Sequence, residues 1–247
     1  MKKKDYRNVI YQTTSDRPVV GEDWSAIRKE IGRKFPVWHV HYGKHLPENK
    51  DADILEIGCG WGDFIYCLEQ WGYKNVLGVD ISEDRVSRAV HLGINHVIKD
   101  DFRNILKDPK RKGRYDVIVA RDVLEHFQKD EVIEIIQLVY DALASRGRFL
   151  IQTVNAESPM GMGFRYGAFT HEIGFTRTSL KQILEIAGLR QIRSYPVEPV
   201  PAYSCISAIR SPLWKCIDWV LKAYQLVETG SGNGIFTRNL ITVGYKI

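Results

Sequence analysis

The feature that most limits what this 247-residue chain can fold into is the run Asp53-Ile-Leu-Glu-Ile-Gly-Cys-Gly-Trp-Gly-Asp63, in which a short apolar stretch gives way to three alternating glycines. An apolar stretch of this length suits a strand buried in a parallel sheet, and parallel neighbours require crossover connections, usually helices. Glycines at 58, 60 and 62 let the backbone turn sharply and leave the main chain open to close approach by a ligand. Beyond them Phe64, Ile65, Leu68 and Trp71 recur at helical spacing, ended by Gly72. The first N–H groups of that helix point into the crevice where open α/β sheets bind ligands.

Two kinds of ligand suit such a turn. A dinucleotide fingerprint reads G-x-G-x-x-G, with the pyrophosphate on the helix N-terminus. Asp63 stands where its third glycine belongs and would repel a pyrophosphate, whereas a zwitterionic amino-acid tail tolerates it. Glu56, two residues before Gly58, also suits an ammonium group, so a cationic nucleoside cofactor is favoured over NAD. A bare structural turn is the alternative.

The remaining motifs follow in order. Val76-Leu-Gly-Val-Asp80 reads as a second buried strand ending in a carboxylate, eighteen residues beyond Gly62, where ribose hydroxyls are bound in doubly wound sheets. Asp80 as a helix cap is the competing reading, but Ser82 already supplies a cap. Residues 94–98 read as a third strand, followed by Asp100-Asp101-Phe102. Adjacent carboxylates repel unless one finds a donor, and an adenine amino group is such a donor for Asp101, with Phe102 against the base; the alternative for Asp101 is a helix cap. Residues 115–120 are a fourth strand, leading into Arg121-Asp-Val-Leu-Glu-His126. Asp122, Glu125 and His126 bring titratable groups to the carboxyl end of a strand, and His126 is a candidate base, or else a solvated side chain.

The set Ile54-Leu-Glu-Ile-Gly-Cys-Gly-Trp-Gly, Val79-Asp80, Asp101-Phe102 and Asp122-Val-Leu-Glu-His126 resembles the successive motifs of class I S-adenosylmethionine-dependent methyltransferases, over residues 40–195. The resemblance implies a Rossmann-like α/β fold, a doubly wound, seven-stranded, mostly parallel sheet. It also implies S-adenosylmethionine as cofactor and S-adenosylhomocysteine as product. Gly58, Cys59 and Gly60 would hold the methionine portion, Asp80 with Ile81 the ribose, and Asp101 with Phe102 the adenine. Tyr42, Glu56 and Arg121 complete the expected cofactor contacts, and Asp122 faces the substrate. The Asp-Val-Leu-Glu-His run is similar to the branch containing the ubiquinone-biosynthesis O-methyltransferases.

Around this core the chain is decorated. Trp24, Ile27, Ile31 and Phe35 mark an amphipathic helix over residues 22–35, starting near Asp23 or Ser25, after a polar tail that includes residues 2–4. Pro36-Val-Trp-His-Val-His-Tyr-Gly-Lys-His-Leu-Pro47 follows. It either covers the cofactor, with Tyr42 and Lys44 as contacts, or simply packs; its histidines lack carboxylate or cysteine partners at ligand spacing, so no metal is expected. Helices are expected over residues 132–143 and 178–187. A turn at Ser145-Arg-Gly147 leads to a fifth strand over residues 148–154, and a sixth strand covers residues 189–195.

Residues 155–175 form a connection far longer than usual, and such loops tend to be functional. Arg165 and Tyr166 are candidate substrate contacts there, His171 a candidate base, and Glu172 its orienting partner or a substrate contact. This part is similar to methyltransferases of bacterial surface-polysaccharide gene clusters, which implies O-methylation of a sugar hydroxyl. Methylation of another small molecule, or S-adenosylmethionine binding without catalysis, is the alternative.

Pro196, Pro199 and Pro201 open an insertion over residues 196–235, before a last strand in residues 236–247. Its helix sets Leu213, Ile217, Val220, Leu221, Tyr224 and Val227 on one face, for core packing, a dimer contact or a membrane surface. The whole chain reads as one domain, with residues 1–50 as a helical cap and 51–195 as the cofactor-binding core. With 35 Lys and Arg against 30 Asp and Glu, it lacks the charge of a nucleic-acid binder. No transmembrane run or leader is evident, so a cytoplasmic location and a small-molecule or glycan acceptor are expected. Four cysteines without C-x-x-C spacing suit reduced thiols.

Overall fold

The computed structural model describes Tyr6, Arg7, Ile10 and residues 24–201 and 205–247. Residues 2–4, read as a polar tail, and Asp23, a candidate helix start, lie outside the described residues. The element order is α1 (Trp24–Tyr42), β1 (Asp53–Ile57), α2 (Asp63–Gln70), β2 (Asn75–Asp80), α3 (Glu83–His91), β3 (Val97–Lys99) and α4 (Phe102–Lys107). It continues with β4 (Tyr115–Arg121), α5 (Lys129–Ala142), β5 (Leu143–Val154), α6 (Gly161–Arg165), α7 (Arg177–Ile186), β6 (Arg190–Pro196), α8 (Cys205–Thr229) and β7 (Asn239–Tyr245).

The strands form one sheet in the order β3-β2-β1-β4-β5-β7-β6. β7 is antiparallel to both β5 and β6, while the pairings from β3 to β5 are all parallel. This is the expected doubly wound, Rossmann-like architecture. The chain reverses direction across the sheet between β1 and β4, and this switch point opens a crevice at their carboxyl ends.

Because successive strand residues face opposite sides, the sheet buries two apolar layers. Leu55, Ile57, Ile118, Phe149 and Ile151 pack with Ile105, Ile135, Ile136, Val139, Leu180 and Leu184 of α4, α5 and α7. Ile54, Val117, Val119, Leu150 and Val243 pack on the other side with Ile31, Tyr42, Phe64, Ile65 and Leu68 of α1 and α2.

Three expectations are corrected. The first helix does not stop near residue 35 but runs through Pro36 to Tyr42. Trp38 and Tyr42 each pack against the Phe64 ring, at 5.7 and 4.9 Å between centroids, and that burial outweighs the hydrogen bond Pro36 cannot make. β3 is three residues long and begins at Val97 rather than 94. β5 begins at Leu143, with Arg146 held at a positive φ of 64° and a register irregularity against β4.

Candidate functional site

The glycine turn is shaped by what surrounds it. Gly58 has φ +64°, and a Cβ there would lie 2.6 Å from Cγ2 of Val123, so glycine is required on both counts. Gly60 has φ +59° with open space where its Cβ would stand. Its N–H donates to Asp80 Oδ2 at 2.8 Å, and the N–H of Ser82 donates to Asp80 Oδ1 at 2.9 Å. Asp80 therefore braces the turn from the end of β2, and each of its oxygens keeps an acceptor position for a further donor. Ser82 caps α3, as expected.

A cavity of about 500 Å³ opens over these residues. Of the expected cofactor contacts, Gly58, Asp80, Ile81, Asp101 and Phe102 line it, together with Asp122 and His126. Ile81 is an exposed apolar side chain at its edge. Asp101 makes the helix cap weighed for it, accepting from the Arg103 N–H at 2.9 Å at the start of α4, and it also lines the cavity. Its carboxylate is also gripped by the Arg103 guanidinium at 2.6 Å. Burial pushes its pKa up, but the Arg103 hydrogen bonds outweigh that and hold it below the usual range.

At the end of β4, Asp122 adopts φ +53°. Its carboxylate accepts from Gln152 at 2.8 Å and from Asn239 at 3.1 Å. Burial raises its pKa. Glu125 is wholly buried, accepts from Thr153 Oγ1 at 3.0 Å, and is pushed up to about 8 by burial and by Asp122. His126 meets Thr170 Oγ1 at 2.8 Å. Burial and the neighbouring His171 press its pKa down to about 4, which leaves it neutral at pH 7.

The long connection after β5 folds back over this end of the sheet. His171 stacks edge-on against His126 with centroids 4.7 Å apart, yet it does not line the cavity. Its orientation comes from the Phe164 carbonyl at 3.0 Å, not from Glu172. The Glu172 carboxylate instead accepts from the Tyr6 hydroxyl, and its N–H donates to the Glu125 carbonyl at 2.7 Å. Arg165 is not a cavity residue either: its guanidinium donates to the carbonyls of His171 and Glu172 and fixes the loop. Tyr166 is exposed and packs on Arg165. The loop residues that reach the cavity are Ala168, Phe169 and Thr170.

Five expected cofactor contacts, Tyr42, Glu56, Cys59, Gly60 and Arg121, do not line the cavity. Glu56 shares a sheet face with Ile54, so it points toward α1 and α2, where its Oε1 lies 3.6 Å from Arg121 Nη1. Arg121 is also 3.7 Å from Asp63 and lies 4.5 and 4.8 Å from the ring centroids of Trp38 and Phe64. Burial lifts Glu56 to about 8 against the pull of Arg121. Tyr42 is buried and donates to Gln152 Oε1 at 2.5 Å, and burial raises its pKa. Cys59 is buried beneath the turn, its thiol also raised by burial. Lys44 lies over the Tyr195 ring.

Sequence reading missed Arg7, Ser82, Arg85, Val123, Phe127 and the 168–170 segment, all of which line the cavity. Ser82 and Arg85 carried a signal, since they follow Asp80 directly. The residues present suit an adenosine-bearing group. Asp80 offers spare acceptor positions for hydroxyls, Gly60 leaves open space, and Ile81, Phe102 and Phe127 provide apolar contact for a base. Among the described residues no helix is long and apolar enough to cross a membrane.

A family model described as a methyltransferase domain matches residues 39–194. The chain is 25% identical over 112 residues to the ubiquinone biosynthesis O-methyltransferase of Rickettsia bellii (strain OSU 85-389), covering 45% of each chain. It is 24% identical over 144 residues to phosphoethanolamine N-methyltransferase 1 of Triticum aestivum, covering 56% of this chain and 28% of that one. The chain thus spans less than half the length of these relatives. Among solved structures, a SAM-dependent methyltransferase from Archaeoglobus fulgidus superposes with a TM-score of 0.63 at 18% identity, over 91% of this chain and 100% of that one. Haemonchus contortus phosphoethanolamine N-methyltransferase 2, in complex with S-adenosyl-L-methionine, gives 0.61 at 13% identity, over 99% and 60%. These last two likenesses concern the fold.

Proposed function

Since the chain belongs to the methyltransferase domain family, we propose that it transfers a methyl group from S-adenosylmethionine to a hydroxyl of a sugar in glycan or polysaccharide biosynthesis. The observation that carries the donor half of this reading is Asp80. Its carboxylate braces the glycine turn while lining the same cavity as His126. Asp80 and Ile81 would hold the ribose, Asp101 and Phe102 the adenine, and Gly58 and Gly60 the methionine portion. When bound, S-adenosylmethionine supplies an electrophilic methyl on a positively charged sulfur and departs as S-adenosylhomocysteine.

The protein's own work is alignment, exclusion of water and removal of one proton. Alignment alone is worth up to roughly 7–11 kcal/mol. His126 is the cavity histidine and, being neutral, takes the acceptor's proton as its oxygen attacks. His171 holds the His126 ring from outside the cavity. The choice of a sugar rests on the aromatic loop after β5 and on a basic carboxyl-terminal stretch, where seven Lys and Arg face three Asp and Glu beyond Leu189. The relatives' names speak of O- and N-methylation of other acceptors and do not select it.

A peripheral membrane contact is favoured by one further observation. Ile209, Leu213, Ile217, Val220, Tyr224 and Val227 of α8 are all exposed. Sedimentation with anionic vesicles tests this, and protein that stays in the supernatant ends it. The transfer is tested by incubation with isotopically labelled donor and a panel of nucleotide sugars and glycan fragments, read by mass spectrometry. Label on a sugar oxygen supports the reading; label only on other acceptors replaces the sugar with another small molecule. Donor bound with no transfer to any acceptor leaves a binding protein.

A further inference from the structure

A second cavity, of about 340 Å³, lies between α1, the chain that leaves β6, the first turns of α8 and the start of β7. Its size is within the range of small-molecule sites. A hydrogen bond links it to the first cavity: Asn239 lines the second cavity and donates at 3.1 Å to Asp122, which lines the first. It lies at the same end of the sheet, beyond β4 and β5, where Asn239 pairs with Val154.

Its polar groups are of two kinds. His41 and Asn239 present acceptors that have no hydrogen-bond partner among the described residues. The His41 ring is 7% exposed and bonds the Glu198 backbone through one nitrogen, while its buried Nε2 has no hydrogen-bond partner among the described residues. Burial and Lys44 lower its pKa, so Nε2 carries a lone pair at neutral pH. The Asn239 Oδ1 is likewise buried and unsatisfied, its amide nitrogen being committed to Asp122. A buried acceptor without a donor is costly, and a ligand hydroxyl in this cavity relieves it.

The second kind is cationic. Arg210 and Arg238 both line the cavity, and among the described residues neither has a carboxylate within ion-pair distance; Arg238 lies flat over the Phe164 ring at 4.3 Å. One carboxylate, Glu198, also lines the cavity, so the balance is two positive charges to one negative.

We infer that this second cavity anchors the anionic end of the acceptor, whose reacting hydroxyl reaches past the Asn239–Asp122 contact to His126 in the first. It binds a polyol that carries an anionic group, phosphate or carboxylate, with Arg210 and Arg238 on the anion and His41 Nε2 and Asn239 Oδ1 accepting from hydroxyls. The inference rests on the proposed methyl transfer, deepening its acceptor half. His41 and Arg238 are then specificity-determining residues absent from the set read in the sequence.

The test is calorimetric titration of the full chain, saturated with S-adenosylhomocysteine, using a hexose 6-phosphate, a hexuronate and the neutral hexose. Wild-type protein is expected to bind at least one anionic sugar at least tenfold more tightly than the neutral one. Arg238→Ala and Arg210→Ala are each expected to weaken that binding by tenfold or more, with S-adenosylhomocysteine affinity unchanged. His41→Gln is expected to weaken all three sugars alike, and if it fails to fold the two surface arginine variants still decide. Whichever anion binds more tightly, phosphate or carboxylate, identifies the group. Wild-type protein that binds S-adenosylhomocysteine but prefers no anionic sugar, or arginine variants that bind as wild type, overturns the subsite. Failure to bind S-adenosylhomocysteine at all overturns the methyltransferase reading instead.

Discussion

Gly58→Ala separates two physical demands that meet at one position. The first is backbone: an L-residue held at φ +64° pays about 1–2 kcal/mol for the left-handed region. The second is space: the new methyl would stand 2.6 Å from Val123 Cγ2, and overpacking of this kind costs about 1–3 kcal/mol. Together Gly58→Ala is expected to lower unfolding free energy by about 2–5 kcal/mol. Gly60→Ala carries the first cost without the second, since φ is +59° but nothing lies within 4 Å of its Cβ; about 1–2 kcal/mol is expected. Val123→Ala removes two buried methyl groups, at about 1.5 kcal/mol. In the double variant it also removes the clash. Urea unfolding of the four proteins closes a double-mutant cycle, and a favourable coupling of about 1–3 kcal/mol between the two sites is expected. Additivity within about 0.5 kcal/mol, or Gly60→Ala as damaging as Gly58→Ala, would refute the claim that Val123 closes over the turn.

Other outcomes follow from the same site. Asp80→Ala is expected to weaken S-adenosylhomocysteine binding by about 1.5–3 kcal/mol, roughly 10- to 150-fold, by calorimetry; unchanged affinity removes Asp80 from the ribose site. His126→Ala should lower kcat by about 10²–10⁴ with little change in cofactor affinity, and His171→Ala, which acts through the His126 ring, should lower it less. If both leave turnover within a few-fold, no histidine is the base. Glu125 is held up to about 8 from its ordinary 4.5, so between these values the folded protein binds a proton that the unfolded chain does not. Stability from this group is therefore greatest at the acidic end and falls as pH rises through that window, and Glu125→Gln should flatten the fall in unfolding free energies measured from pH 5 to 8. Glu56, also raised to about 8, leaves a residual slope of the same sign.

The fold was readable because its signals are local. Apolar runs of strand length alternate with helical spacings, and each is terminated by glycine, serine or a carboxylate of the right kind. Asp80 and Asp101 were legible for the same reason: Asp80 ends β2 and Asp101 follows the end of β3 by two residues, and the carboxyl end of a strand is where a doubly wound sheet puts its ligands. Asp101 caps α4 and also lines the cavity, because a carboxylate has acceptor positions enough to cap a helix and still face a ligand site. The loop after β5 was a harder case. It has no period to say which of its side chains turn inward, so Arg165 and His171 drew attention by their chemistry while their neighbour Thr170 reached the cavity.

What the sequence determined by itself is the order of strands and helices and the place of the glycine turn, since both follow from residues a few positions apart. Only the tertiary structure decided which polar groups face a ligand and which face one another. Glu56 and Arg121 are sixty-five positions apart and meet because β1 and β4 are neighbours in the sheet. His41, Arg238 and Asn239 come from opposite ends of the chain and share a cavity because α1 packs beside the antiparallel last strand. Contacts of that separation leave no pattern in the sequence, because they are set by how the layers close rather than by the conformation of any one segment.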